Sequence, residues 1–239
     1  MKILCPAVTC VLVSHMKPQY LDVALRSAAD EQTRRDIEIV VADSGQWIGV
    51  QSQEAADMAA QYAKWSRHPL VTWVTTGERP GLRHRACPVA WSANQVIRAG
   101  LVRGRYMCTF YDDDRYLPRF FEGMAGYLDD HAEANAVMCS QSWWAIRRDG
   151  SAQEAGGIQA VGPRGPGEFD CQVDGGQVMW RTQMLDLIGD PWLPEQIDTC
   201  NHSDGIFLER LARVAGNVHA IREVLCENRK TPLSTYAPT

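Results

Sequence analysis

Three consecutive aspartates are the residues of this chain whose type and spacing best suit chemistry. Together with Tyr111, which precedes them, Asp112, Asp113 and Asp114 follow residues 106–110, an apolar segment typical of a buried strand. Neighbouring carboxylates repel one another, so a solvated turn or a bound cation must stabilise them. A hard cation that also holds phosphate needs only one or two carboxylates together with water. The triplet therefore indicates either a metal site for a phosphate-bearing ligand or, with equal weight, an acidic turn.

Further polar positions follow predicted strands or begin predicted helices. Asp43 ends a strand at the sheet edge where α/β proteins bind ligands, although Asp-Ser-Gly is also common in turns. Asp204 begins a helix and is either a general base or an N-cap, whose pKa the helix dipole would lower. Asp174 and Gln177 flank two glycines and either bind hydroxyl groups of a ligand or form a turn before a strand.

These positions belong to predicted strands and helices that alternate along most of the chain. Continuous apolar runs rich in β-branched residues are typical of strands buried on both faces in parallel sheets. The predicted strands are 8–13, 37–42, 70–74, 106–110, 137–140, 178–181 and 218–225. The predicted helices are 18–28, 53–66, 89–97, 117–128, 182–188 and 204–215. Residues 149–176, dense in Gly and Pro, predict a long loop, and 230–239 predict a tail. We expect an α/β fold with a mostly parallel central sheet flanked by helices.

Composition argues against several classes of protein. The 239 residues suffice for an ordinary core, and a net charge of −5 argues against a general nucleic-acid binder. The eight cysteines include no C-x-x-C pair, which favours a reducing, cytoplasmic location over a disulfide framework. We expect neither a signal peptide nor a membrane span, since no apolar run approaches the ~20 residues that a span needs.

The order of motifs along the chain resembles the GT-A glycosyltransferases, especially the inverting family 2 enzymes. Residues 36–45 (DIEIVVADSG) are similar to that family's early strand ending in carboxylates. Residues 94–97 (NQVI) are similar to its Asn-containing helix, and 104–106 (GRY) lead into the Asp triplet at the place of its D-x-D motif. Asp204 takes the place of the second acid in its later E-D pair. Each motif is weak alone, and their common order is more specific.

The resemblance covers residues 8–229 and implies a single GT-A domain over 1–229. Residues 1–115 would bind the nucleotide sugar, and 116–229 would bind the acceptor. The chain departs from the family at Ser203, where the first acid of the E-D pair is missing.

The resemblance also implies an activity, namely metal-dependent transfer of a sugar from a UDP- or GDP-sugar to a hydroxyl group, with inversion. The acceptor would be a saccharide, a small molecule, a protein or a modified nucleic acid. Asp112 and Asp114 would hold Mn²⁺ or Mg²⁺, and Asp204 would be the base. The implied donor contacts are Ser14, His15, Asp43, Arg83, Asn94, Asp112, Asp113, Asp174 and Gln177.

Some residues have two interpretations. Residues 79–85 include three arginines and a histidine, a patch that either grips phosphate or an acidic acceptor or is a solvated loop. Trp143 and Trp144 are expected in the core, with stacking on an acceptor sugar as the alternative. His219 is expected to be a core histidine rather than a third metal ligand. Asp174 would make the reaction retaining if it lay at the anomeric carbon.

Two other functions remain open at the level of sequence. A nucleotidyltransferase also uses a metal-bound nucleotide on such a sheet, but residues 14–18 lack the glycines of its phosphate loop. A degenerate GT-A domain that binds without turnover is favoured by the serine at position 203.

Overall fold

The computed structural model describes residues 5–77, 88–169, 173–190, 192 and 203–232. Its strands are β1 Val8–Ser14, β2 Ile37–Asp43, β3 Val71–Thr75, β4 Tyr106–Tyr111, β5 Arg115–Tyr116, β6 Ala136–Ile146, β7 Ala152–Ile158, β8 Val178–Arg181 and β9 Val218–Lys230. Its helices are α1 Pro18–Ala29, α2 Gln53–Trp65, α3 Pro88–Arg98, α4 Phe120–Asp130, α5 Met184–Ile188 and α6 Ser203–Ala215, with a 3-10 turn at Gly175–Gln177.

All the described strands join one sheet in the order β3-β2-β1-β4-β8-β6-β9-β5, and β7 pairs with β6. Strand β1 is parallel to both β2 and β4, and β2 is parallel to β3. Strand β8 is antiparallel to β4 and β6, whereas β6 and β9 are parallel. The α/β prediction is confirmed: the first half of the sheet is parallel, and the second half mixes both directions.

Helices cover both faces of this sheet because the central strands are apolar on both sides. Every residue of β1 and of β2 is buried. Cys10 and Leu12 of β1 pack into a core that α1 and α4 cover. Val11 and Val13, on the alternate face, pack into a second core that α3 and α6 cover. This two-sided burial explains the continuous apolar runs in the sequence.

The prediction of a long loop at 149–176 is wrong for its first part, which forms β7. This strand carries exposed side chains and pairs with β6 through its backbone. A Cβ at Gly157 would lie 2.4 Å from the carbonyl oxygen of Gln141, so only glycine permits the close pairing there. Without apolar alternation, the sequence offers no strand signal in this segment.

Strand β9 is longer than predicted and includes the first residue of the predicted tail. It ends at Lys230, and Thr231 is fully buried. Strand β5 lies across the predicted boundary at 115/116 and pairs with β9. Residues 233–239 of the predicted tail lie outside the described residues.

Within the described residues no helix is long and apolar enough to cross a membrane. Cys5, Cys10, Cys108, Cys139 and Cys226 are free thiols.

Candidate active site

The carboxyl ends of the central parallel strands place several predicted site residues at one edge of the sheet. Ser14, the last residue of β1, pairs with Asp43, the last residue of β2. Val13 pairs with Tyr111 at the end of β4, directly before the Asp triplet. Sheets of this kind bind ligands at this edge, and the ligand site expected there stays a prediction.

Asp112 and Asp113 share a cation that the sequence analysis missed. The ammonium group of Lys17 lies 2.8 Å from Asp113 Oδ2 and 3.2 Å from Asp112 Oδ1. Burial lowers the pKa of Lys17, but the charges of the two aspartates more than offset this and raise its pKa overall. Burial raises the pKa of Asp112 to about 6, against the opposing effect of Lys17. The pair is therefore arranged around a positive charge.

The segment between β1 and α1 holds this arrangement in place. The backbone N–H of His15 donates to Asp112 Oδ2 at 2.7 Å. Met16 has a φ of 52°, a left-handed conformation that is rare for residues other than glycine. This turn brings Lys17 back toward the triplet just before Pro18 begins α1.

Asp114 faces a different strand from Asp112. Its Oδ1 accepts from the backbone N–H of Arg229 in β9 at 2.9 Å. Burial and the charges of Asp174 and Asp113 raise its pKa well above the ordinary value. The two aspartates assigned to the metal thus have separate partners, with the β1 end holding Asp112 and β9 holding Asp114.

Asp174 caps the 3-10 turn at Gly175–Gln177. Its Oδ1 accepts from the N–H of Gly176 at 2.8 Å, and its Oδ2 accepts from Nδ2 of Asn228 at 2.8 Å. Burial, together with the charges of Asp204 and Asp113, raises its pKa to about 7. Gln177 completes the cap: its Oε1 accepts from the Asp174 N–H, and its Nε2 donates to the Cys139 carbonyl. Both ends of the fully buried Gln177 amide are thus occupied, which favours the turn interpretation for that residue.

Asp204 lies in the first turn of α6 and contacts both the 3-10 turn and β4. Its Oδ1 accepts from the Tyr111 hydroxyl at 2.8 Å, and its Oδ2 accepts from the Gly175 N–H at 3.2 Å. A helix N-terminus was expected to lower its pKa, but burial raises the pKa despite these two hydrogen bonds. A Cβ at Gly175 would lie 2.7 Å from Tyr111 Oη, so this close approach requires glycine.

Asp43 ends β2 as predicted, but its carboxylate already accepts internal hydrogen bonds. The indole Nε1 atoms of Trp47 and Trp73 lie 2.5 and 3.2 Å from Oδ2, and the Gly45 N–H lies 3.2 Å from Oδ1. Its side chain is fully buried. A nucleotide contact at Asp43 would share the carboxylate with these donors.

The remaining predicted donor contacts are placed as follows. Ser14 and its neighbour Ser44 are buried. The Oγ atom of each has no hydrogen-bond partner among the described residues. Asn94 is fully buried on α3. Arg83 lies outside the described residues, together with the rest of the basic segment 79–85.

The core assignment of the tryptophan pair is wrong for Trp143. Its side chain is 37% exposed, and Trp144 is half-buried on the other face of β6. His219 bonds the Tyr127 hydroxyl through Nδ1 at 3.0 Å. Its partner on β6, Val137, lies six residues from Trp143, the partner of Asn228. His219 is therefore roughly 20 Å from Asn228, and the metal-ligand alternative for His219 does not hold.

Four residues of the site escaped the sequence analysis. Tyr111 contacts Asp204, Asn228 contacts Asp174, and Lys17 pairs with the triplet. The positive charge of Lys230 lowers the pKa of Asp174 and of Asp204, against the net upward shift of each. Tyr111 directly precedes the triplet, which was the available signal; the others depend on tertiary packing.

The same arrangement of sheet and helices occurs in solved structures of nucleotide-sugar enzymes. TarS 1-349 from S. aureus in complex with UDP-GlcNAc matches with a TM-score of 0.62 at 14% identity, over 96% of this chain and 59% of that chain. The mannosyltransferase PcManGT from Pyrobaculum calidifontis, in complex with GDP-Man and Mn²⁺, gives 0.63 at 16% identity, over 97% and 59%. This chain thus spans about 59% of the length of either structure.

The chain has the GT-A glycosyltransferase fold, as the resemblance of its motifs implied. No protein-family profile matches the sequence, and no curated protein matches it either.

Proposed function

We propose that the protein transfers a sugar from a nucleoside diphosphate sugar to an acceptor hydroxyl, with a divalent cation and with inversion. The observation that carries the proposal is the meeting of Asp112, Asp113, Asp114, Asp174 and Asp204 at the carboxyl edge of a GT-A sheet. Carboxylates from a strand end, a capped turn and a helix start serve no common packing purpose. Their charge is suited to a cationic or polyhydroxylated ligand.

The donor would lie along the ends of β1, β2 and β4. The buried hydroxyls of Ser14 and Ser44, which lack partners among the described residues, are available to its polar groups. The two glycosyltransferases of this fold are complexed with UDP-GlcNAc and with GDP-Man, which supports a UDP- or GDP-sugar here.

A cation would bind Asp112 and Asp113 in place of the ammonium of Lys17, which neutralises this pair in the free protein. Within the described residues no group of three or more His, Cys, Asp or Glu forms a metal site, so phosphate and water would complete the ligands. When bound, Mn²⁺ or Mg²⁺ would stabilise the charge that the departing nucleoside diphosphate gains. Asp114 would join the ligands through Oδ2, because its Oδ1 accepts from the Arg229 N–H.

Asp204 is the proposed base for the acceptor hydroxyl. Its raised pKa suits proton uptake better than an ordinary aspartate, and Tyr111 and Gly175 fix the orientation of both oxygens. Asp174, whose pKa rises to about 7, is held by Gly176 and Asn228 as the adjacent carboxylate.

The free thiols of the described residues support a reducing, cytoplasmic setting.

The test is release of nucleoside diphosphate from UDP-GlcNAc and GDP-Man with MnCl₂. Combining Asp112→Asn with Asp114→Asn should lower release about 100-fold or more, because two of the three carboxylates of the triplet that would hold the cation lose their charge. The matched control is Asp149→Asn, which removes an exposed acid from the turn after β6 and should leave release unchanged. NMR of a glycosylated product should show the opposite anomeric configuration to the donor.

Full activity of the double variant would remove the metal role. Absence of release and of any thermal shift with the donors would contradict glycosyl transfer and favour a domain that binds without turnover. Retained configuration would move the chemistry from Asp204 to Asp174.

A further inference from the structure

A cavity of about 320 Å³ lies beside the carboxylate site, between α1 and the strands β5, β6, β7 and β9. Its volume is at the lower end of the range for small-molecule sites. Trp144 and Ile146 of β6 contribute apolar surface, and Arg26, Arg115 and Arg229 contribute guanidinium groups. None of these residues belongs to the implied donor or metal contacts.

Arg229 is the cavity residue whose side chain lacks a counter-charge. Its Nη1 is buried and has no hydrogen-bond partner among the described residues, nor does any described carboxylate lie within ion-pair distance of its guanidinium. A buried donor without a partner is costly, so a ligand that supplies an acceptor gains free energy there.

The other two arginines of the cavity are already neutralised. Arg115 lies 3.1 Å from Glu31 and 3.8 Å from Glu227, both of which also line the cavity. Arg26 pairs with Asp22 at 2.7 Å within α1. The free guanidinium capacity is therefore concentrated at Arg229.

Trp144 lies directly across from Arg229 in the pairing of β6 with β9. Its half-buried ring lines the cavity, and its Nε1 donates to Ser142 Oγ at 3.1 Å. An aromatic face packs against the C–H face of a pyranose ring, and a neighbouring guanidinium binds a carboxylate or phosphate through two parallel hydrogen bonds. The pair thus suits a sugar that carries an oxyanion.

The cavity is joined to the carboxylate site through Arg229 itself. Its backbone N–H donates to Asp114 Oδ1, while the preceding Asn228 donates from the other face of β9 to Asp174. A ligand bound to the Arg229 side chain would therefore contact a residue whose backbone bonds Asp114 and whose neighbour Asn228 bonds Asp174.

We propose that this cavity binds an anionic saccharide, carrying a carboxylate or a phosphate, through Arg229 and Trp144. Naming this saccharide as the charged part of the acceptor rests on the proposed function; its binding does not. The ionic group engages the free guanidinium, and the ring packs on the indole.

The experiment titrates the full chain, without nucleotide or metal, with glucuronate, glucose 6-phosphate and glucose by NMR or calorimetry. Both anions should bind at least about tenfold tighter than glucose, since a charge-assisted hydrogen bond is added. Arg229→Gln should lose that advantage while keeping the backbone bond to Asp114. The matched control, Arg213→Gln on the exposed side of α6, should bind both anions as the wild type does.

Equal binding of all three sugars, or unchanged anion binding by Arg229→Gln, would overturn the proposal. If only glucose 6-phosphate binds more tightly than glucose, the ionic group of the saccharide is a phosphate. If only glucuronate does, the ionic group is a carboxylate. If Arg229→Gln unfolds, Arg229→Lys, which keeps the charge but not the planar fork, should weaken anion binding, and Trp144→Ala should weaken all three sugars. Because no donor is present, these outcomes are independent of diphosphate release.

Discussion

Lys17 compensates the negative charge of the Asp triplet in the absence of a ligand. Its ammonium group compensates two buried carboxylates, and its own side chain is only 18% exposed. An unmatched charge at this depth is strongly destabilising, whereas a matched pair is tolerated. The Asp triplet is thus stable in the free protein because a basic residue 96 positions away along the chain lies beside it.

Replacing this lysine should therefore cost more than replacing a surface lysine. Lys17→Met removes this positive charge from beside Asp112 and Asp113 and should lower the free energy of unfolding by about 3 kcal/mol. Added MnCl₂ should recover part of the loss, because a divalent cation replaces the missing charge. Urea unfolding with and without the metal measures both effects.

Lys64→Met is the matched control, since Lys64 pairs with Asp22 at an exposed site. It should change stability by less than about 1 kcal/mol, with no response to the metal. Equal losses for the two variants would show that the triplet does not depend on Lys17.

For single residues, the sequence predicted the acids of the site better than their hydrogen-bond partners. The positions of Asp43, Asp112, Asp174 and Asp204 followed from strand ends and helix starts, which are local signals. Their hydrogen-bond partners are distant in sequence: Tyr111 for Asp204 and Asn228 for Asp174. Tertiary packing alone brings these pairs of residues together, so no spacing of residues in the sequence predicts the pairs.

Among the elements, the apolar strands were predictable and the polar ones were not. Strands β1, β2 and β4 are buried on both faces, so hydrophobicity alone indicates them. Strand β7 is exposed and contains two adjacent glycines, and the end of β9 carries charged residues. Their pairing depends on backbone hydrogen bonds to β6, which no side-chain pattern records.

The close approach of β1 to the segment before β4 yields a prediction about glycine. A Cβ at Gly104 would lie 2.5 Å from the Thr9 backbone N and 2.8 Å from the Tyr106 carbonyl oxygen. Because both atoms belong to paired strands, Gly104→Ala should destabilise by about 2 kcal/mol or more. Thermal and urea unfolding give the change.

Gly126→Ala serves as the comparison for Gly104→Ala, because an added Cβ in α4 meets nothing within 4 Å. It should stabilise by about 0.5–1 kcal/mol through helix propensity. A neutral Gly104→Ala would mean that β1 and the turn before β4 can separate without loss.

For the molecule as a whole, the concentration of acids at one edge opposes folding near neutral pH. Burial raises the pKa values of Asp112, Asp114, Asp174 and Asp204. A carboxyl whose pKa is higher in the folded state contributes stability fully below its unfolded pKa, near 4. That contribution is lost as the pH rises through the folded value.

Asp174 gives the clearest test, because its pKa rises to about 7. Wild-type stability should fall between pH 4 and 7, and Asp174→Asn should remove about 4 kcal/mol of that fall. The Asn228 amide can turn over to accept from the new amide, since its Oδ1 has no partner among the described residues.

Chemical unfolding across that pH range compares the Asp174→Asn variant with the wild type. An identical pH profile for both proteins would exclude Asp174 as the titrating group. Exposed acids with lowered pKa values, such as Asp36, act in the opposite direction below pH 4 and are common to both proteins.

The involvement of β9 in both the sheet and the site also affects the order of events during synthesis. The ribosome makes the aspartates at 112–114, 174 and 204 before Asn228 and Arg229, which donate to two of them. Likewise, about 90 residues are made between β1 and its partner strand β4. Until β9 is made, Asp114 and Asp174 therefore lack these two donors, and their part of the site is completed only when the last described strand docks.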